Sequence, residues 1–193
     1  NYIDRMFAKY APATFLSLFI DDCIAKGKDY YNCGPRYNTS YIQCTGLGTI
    51  TDSLSVLKKH VFEERKFNME QIIHATDTNF EGQEAMILNR TPFFGNDDEY
   101  ADRIAIQIFN DLYDAIEGKP NTKGECFHLN MLSTTCHVYF GKMMNATPNG
   151  RLAGRAISDG TSPSHGADTH GPSAVIKSLG KLDQVKSGGT LLN

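Results

Sequence analysis

The sequence has 193 residues, with 19 Lys and Arg against 22 Asp and Glu and a formal net charge of −3. That balance offers no basic face for a nucleic-acid backbone, and no apolar run reaches the ~18 residues of a membrane span. With 40% hydrophobic and 21% charged residues, the composition is that of a folded chain, not a disordered one.

Tyr2 to Tyr10 predicts a short helix that ends near Pro12. Thr14 is expected to cap a second helix reaching Lys26, with Phe15, Leu18 and Phe19 at helical spacing and Gly27 as its stop. Residues 28–48 lose that periodicity. Tyr30 to Asn38 reads as an ordered loop, and Ile42 to Gly48 as a strand or turn. Thr51 or Asp52 is expected to cap a helix whose apolar face is Leu54, Leu57, Val61 and Phe62. Asn68 caps the next one.

Pro92 to Asp98 is a loop ending in acids suited to a helix start. From Glu99 to Glu117 the helical pattern is strongest. Ile104, Ile108, Leu112 and Ile116 recur every four residues before Gly118 and Pro120 end it. Cys126 to Phe140 alternates and is rich in β-branched residues, which predicts a buried strand. A long Gly- and Pro-rich loop follows, of a length that in a compact domain is usually functional or disordered. Val175 to Leu179 and Thr190 to Leu192 are expected as short strands.

No motif in this chain specifies a reaction by itself. The five cysteines, Cys23, Cys33, Cys44, Cys126 and Cys136, form no C-x-x-C pair and read as reduced thiols, which points to the cytoplasm. His128, His137, His165 and His170 lack the spacing of a metal site, so no metal is expected. Asn96-Asp97-Asp98 lacks the spacing of a calcium loop, and its acids suit the dipole of the following helix. Gly46-Leu47-Gly48 and Gly188-Gly189-Thr190 are incomplete as nucleotide-binding signatures and mark close backbone approach instead. Asp159 to Asp168 is dense in donors and acceptors. It reads either as a binding loop or as a buried hydrogen-bonded turn network.

Several loops, taken in order, carry a resemblance. Pro35-Arg36-Tyr37-Asn38, Thr91 to Asp97, Pro148-Asn149-Gly150-Arg151, Ser158 to Pro163 and Gly188 to Asn193 together resemble the glycyl radical enzymes, the pyruvate formate-lyase-like superfamily. Tyr30 to Ser53, Thr134 to Gly141 and Gly171 to Asn193 are most similar to its branch of dehydratases that act on hydroxyproline. Ser133 departs from the proline expected between Leu132 and Thr134, and Leu152 to Ile157 also departs from the pattern.

The resemblance implies an α/β fold, part of a barrel of strands surrounded by helices and incomplete in this chain. It implies a small-molecule substrate, a homodimer, and a glycyl radical installed by an S-adenosylmethionine-dependent activating enzyme. No cofactor is expected in the segment itself. In the family a thiyl radical on a cysteine abstracts a substrate hydrogen, and in the dehydratases a glutamate two residues later helps the hydroxyl leave.

This chain has no Gly-Cys-x-Glu and no Arg-Val-x-Gly-Tyr. The residues two positions after its cysteines are Ala25, Pro35, Gly46, His128 and Val138. No catalytic residue is therefore carried over. Residues 1–193 are expected to be an internal segment of one domain, between the cysteine loop and the glycine loop, and silent alone. The resemblance implies that a strand around Leu132 to Val138 lines the substrate cavity. Alternation puts Leu132 and Thr134 on one face as pocket candidates and Ser133 and Thr135 on the other, the alternative being that all four are core. Other members of the superfamily, such as glycerol or diol dehydratases, a choline-cleaving lyase, an arylacetate decarboxylase or pyruvate formate-lyase, share the same loops. A non-catalytic scaffold reusing the fold is the reading from a different class.

Overall fold

The computed structural model describes residues 2–81 and 91–193, which divide into two compact units, residues 1–42 with 114–129 and residues 43–113 with 130–193. In the first unit, α1 (Tyr2–Tyr10), α2 (Thr14–Ser17) and α3 (Asp21–Lys26) precede β1 (Ser40–Gln43). The single helix expected from Thr14 to Lys26 is thus two. The break has a local cause. Ser17 Oγ lies 2.8 Å from both Ala13 O and Asp29 Oδ2, which share its one proton, and it accepts from Tyr30 N. That side chain offers the backbone an alternative to the helical ladder.

Ile20 is extended, and Asp21 and Asp22 start a fresh helix at its positive end. Gly27, at φ 59, closes α3, with Lys28 N reaching back to Cys23 O at 3.0 Å. β1 pairs with β2 (Phe127–Asn130). The bonds Ser40 N to Cys126 O and Cys44 N to Asn130 O advance together along both strands, so the pairing is parallel.

In the second unit, α4 (Leu47–Val56) begins at Gly46, and runs into a π-helical stretch, Leu57–Glu63. Thr51 and Asp52 therefore sit inside a helix and are not its cap. The expected apolar face is also displaced. Leu54 and Phe62 are exposed, while Thr49, Thr51, Asp52, Ser53, Ser55 and Val56 are buried. Several of these polar side chains have close partners, although the buried Thr51 hydroxyl has none among the described residues. Thr49 N donates to Ser158 Oγ at 3.1 Å, Ser158 N to Thr49 Oγ1 at 2.9 Å, and Ser55 Oγ to Pro92 O.

Gly48 is required here, since a Cβ on it would lie 2.6 Å from Ser162 O and 2.8 Å from Ser164 N. Asn68 caps α5 (Met69–Asp77), as expected, and Gln71 completes a reciprocal capping box with it. Val56, Ile72, Ala75, Phe80 and Ala146 form the core against α5.

The next helix, α6 (Glu99–Ile116), matches its expected span. Its buried stripe is Ala101, Asp102, Ala105, Phe109 and Ile116. Lys181 Nζ meets Asp102 Oδ2 at 2.6 Å, Asp97 Oδ1 at 2.9 Å and Glu99 Oε1 at 2.8 Å. Burial works against the Lys181 ammonium, but these three carboxylates outweigh it and hold its pKa above the usual range.

The expected strand from Cys126 to Phe140 ends at Asn130. A turn follows, and then α7 (Cys136–Met143). Val175 to Leu179 is likewise helical, inside α8 (Pro172–Gly180), with Pro172 at its first position. Thr190 does extend the sheet pattern, through a parallel bridge to Met131.

Candidate functional site

Three distant stretches of the second unit converge on the turn after β2. Met131 N donates to Gly189 O at 2.8 Å, and Leu191 N to Met131 O at 3.1 Å. Thr161 donates to Leu191 O through both its N–H, at 3.0 Å, and its hydroxyl, at 2.9 Å. Gly160, at φ 42, lies between them. A Cβ there would lie 2.6 Å from Met131 O and 2.7 Å from Leu191 O. Only glycine fits that junction.

The turn itself is held from below. Ser133 is buried, and its hydroxyl donates to Asp159 Oδ1, accepts from Gly160 N at 3.3 Å and lies 3.1 Å from His137 Nδ1. With the hydroxyl proton given to Asp159, His137 Nδ1 must be the donor to Ser133. The same nitrogen lies 3.5 Å from Asp159 Oδ1. Asp159 is buried as well, and its second oxygen accepts from Asn193 Nδ2. Thr134 above this network has φ 49, a left-handed conformation that is rare for a β-branched residue.

Leu132 and Thr134 therefore do not share a strand face. Leu132 is half-buried near Gly189, where its Cδ1 would meet an added Cβ at 3.3 Å. Thr134 is exposed, and its hydroxyl turns back to Ser133 O at 2.7 Å. Ser133 and Asn193 were not site candidates from sequence, and Asp159 was one only as part of the polar loop. Of the two readings of the polar loop from Asp159, its first residues follow the buried-network one, because they meet the turn and the C-terminal stretch.

The sequence pattern of the family described as pyruvate formate lyase-like matches residues 1–141, and that described as glycine radical matches residues 157–193. The chain belongs to the pyruvate formate lyase-like family. It is 52% identical to trans-4-hydroxy-L-proline dehydratase of Clostridioides difficile over 99% of this chain and 25% of that protein. It is 45% identical to isethionate sulfite-lyase of Oleidesulfovibrio alaskensis over 73% of this chain and 17% of the relative. The crystal structure of hydroxyproline dehydratase from Clostridioides difficile with trans-4-hydroxy-L-proline bound matches with TM-score 0.92 and 52% identity, over 99% of this chain and 25% of the other. The glycerol-bound B12-independent glycerol dehydratase of Clostridium butyricum matches with TM-score 0.90 and 37% identity, again over 99% and 25%. The chain thus spans about a quarter of the length of these dehydratase relatives, and its fold is part of the family's α/β barrel.

As part of a pyruvate formate lyase-like protein, the second unit carries an apolar groove of ≈ 830 Å³. Ile108 and Leu112 of α6 line it, with Met131, Phe140, Met143 and Ile157. Two residues of the helical stripe read from sequence thus face a groove and not a filled core. Cys44 is also in its wall, and burial pushes its thiol pKa up, which keeps it protonated and a poor nucleophile.

Asp52, fully buried in α4, is also perturbed. Burial pushes its carboxyl up to about 7, against the Ser164 hydroxyl and the Phe94 N–H, which donates to Oδ1 at 2.8 Å. Neither group combines a nucleophile with a base. Among the described residues, no cluster of three or more His, Cys, Asp or Glu could hold a metal ion.

Proposed function

We propose that the chain is a segment of a glycyl radical dehydratase that removes water from trans-4-hydroxy-L-proline by thiyl-radical chemistry. One observation carries this reading. Identity to a hydroxyproline dehydratase is 52% over 99% of the chain, against 37% for the glycerol dehydratase structure and 34% for a 1,2-propanediol dehydratase structure at the same coverage. The product of such a reaction is a pyrroline carboxylate.

On this reading the radical glycine, the thiyl cysteine and the acid glutamate lie outside residues 1–193, which sit between the cysteine loop and the glycine loop. The isolated segment is then inactive and supplies wall and scaffold. Leu132 and Thr134 are the residues offered to substrate, the first as an apolar wall and the second as a hydroxyl. The partially exposed turn that carries them supports this, although they do not share a strand. A radical S-adenosylmethionine activating enzyme, a homodimeric state and a cytoplasmic location belong to the same proposal. No helix among the described residues is long and apolar enough to cross a membrane.

The test is anaerobic activation of the full-length protein bearing this segment, followed by incubation with trans-4-hydroxy-L-proline. Pyrroline carboxylate formed in proportion to the glycyl radical content supports the proposal. A full radical signal without loss of hydroxyproline refutes the substrate.

A further inference from the structure

We propose that Ser133 is a positioning residue, whose buried hydroxyl, backed by Asp159, His137 and Asn193, holds the 131–135 turn in the strained form that presents Leu132 and Thr134 to substrate. The inference rests on the dehydratase reading for the substrate and on the geometry of the turn for the rest.

Thr134 sits at φ 49 with an exposed side chain. A β-branched residue stays in that region only where its surroundings over-determine it, and such residues cluster at ligand clamps and active sites. Thr134 makes one side-chain hydrogen bond, to Ser133 O, and its Oγ1 lies 3.9 Å from Cys136 Sγ. The turn is closed above by Cys136 N donating to Ser133 O at 2.8 Å. Besides the backbone bonds of Met131 to Gly189 and Leu191, the bonds that fix it from below pass through the Ser133 side chain.

The Ser133 hydroxyl is used in full. It donates to Asp159 Oδ1 and accepts from Gly160 N and His137 Nδ1. Asp159 is fixed in turn by Asn193 Nδ2, while Asn193 N donates to Ser162 Oγ at 3.0 Å. Ser133, at 1% exposure, and Asp159, at 4%, are out of solvent, so water cannot replace a lost partner freely. The hydroxyl therefore joins the turn, α7, the 157–163 loop and the C-terminal stretch at one point. A shift of about 1 Å in a substrate-bearing wall can cost on the order of 100-fold in rate.

The experiment uses the activated full-length protein at a temperature well below its melting point. It compares wild type, Ser133→Ala and Ile72→Ala. Ile72 belongs to the buried cluster with Val56, Ala75, Phe80 and Ala146 and makes no part of the turn or its supports. Three quantities are read: kcat and KM for trans-4-hydroxy-L-proline at matched glycyl radical content, the melting temperature, and the rate of Cys136 alkylation followed on its peptide.

Ser133→Ala is expected to lower kcat/KM by at least about tenfold, mainly through KM, and to label Cys136 faster. Ile72→Ala is expected to melt lower with KM unchanged. Ser133→Ala with wild-type KM and kcat overturns the proposal, whether or not Cys136 labels faster. If wild type carries the radical yet leaves hydroxyproline intact, the substrate reading fails. The labelling rate then decides the clamp, with an unchanged rate in Ser133→Ala overturning it.

Discussion

Two helical glycines should respond to the same mutation with opposite signs. Gly141 lies inside α7 and Gly180 ends α8. By helix propensity alone, Gly→Ala in a helix interior gains roughly 0.5–1 kcal/mol. At Gly180 nothing lies within 4 Å of the new Cβ, so a gain of a few tenths to about 1 kcal/mol should appear. At Gly141 the new Cβ would press on Arg155 O and lie 2.6 Å from Ala156 Cα and 2.8 Å from Ile157 N. These are backbone atoms, which cannot rotate away as a side chain can. Overpacking of this kind typically costs about 1–3 kcal/mol, and the upper end applies here. The net effect of Gly141→Ala is then a loss of about 2–2.5 kcal/mol. At about 2–4 °C per kcal/mol for a cooperative unit of 150–250 residues, its melting temperature should fall by about 4–10 °C. Thermal unfolding of the two variants beside wild type is the assay. A Gly141→Ala protein that melts at or above wild type would refute the close-approach argument.

Asp52→Asn should change the pH dependence of stability. With its folded pKa at about 7 and its unfolded value near 3.9, the native state holds a proton that the unfolded state has lost, so wild-type stability falls as pH rises from about 4 to 7 and then levels off. The Asn variant should match wild type near pH 5 and melt higher at pH 8; parallel profiles would count against a buried neutral carboxyl. Lys181→Met leaves the buried Asp102 carboxylate without its cation and should cost about 3 kcal/mol, read as a lower melting temperature. A melting temperature unchanged in this variant would contradict the role given to that ion cluster. Phe109→Ala opens a cavity beneath α6 and should cost about 3–5 kcal/mol, whereas a loss below 1 kcal/mol would mean that the site collapses or is hydrated.

The helices that could be read from the sequence are those whose ends carry local chemistry. Asn68 with Gln71, the acids before Tyr100 and the glycines at 27 and 118 act within a turn of the residues they control, so chain order is enough to find them. The failures come from partners far away in sequence. Asp52 looked like a cap because its partner, the Phe94 amide, is 42 residues on. The burial of Thr49, Ser53 and Ser55 has no sequence signal because the carbonyls and hydroxyls that satisfy them belong to other segments or to the preceding turn. The stretch after Asn130 kept strand-like composition while its backbone turned. What turns it is the Ser133–Asp159 contact across 26 residues, which no periodicity can reveal. Pro172 behind Gly171 was a readable helix start that the β-branched look of Val175 and Ile176 obscured.

The family's loops could be recognised in order, but the chemistry could not be placed on any residue of this chain. The site was legible only as a region. Leu132 and Thr134 were expected on one face of a strand, and they occur on a turn whose geometry depends on the residue between them.

The central claim is that this segment belongs to a hydroxyproline dehydratase. The most direct measurement is water loss from trans-4-hydroxy-L-proline by the anaerobically activated full-length protein, with the glycyl radical counted by electron paramagnetic resonance in the same sample. The account predicts pyrroline carboxylate formation that scales with radical content and vanishes without activation. A sample with full radical content that dehydrates a diol, or nothing, and leaves hydroxyproline untouched would contradict it.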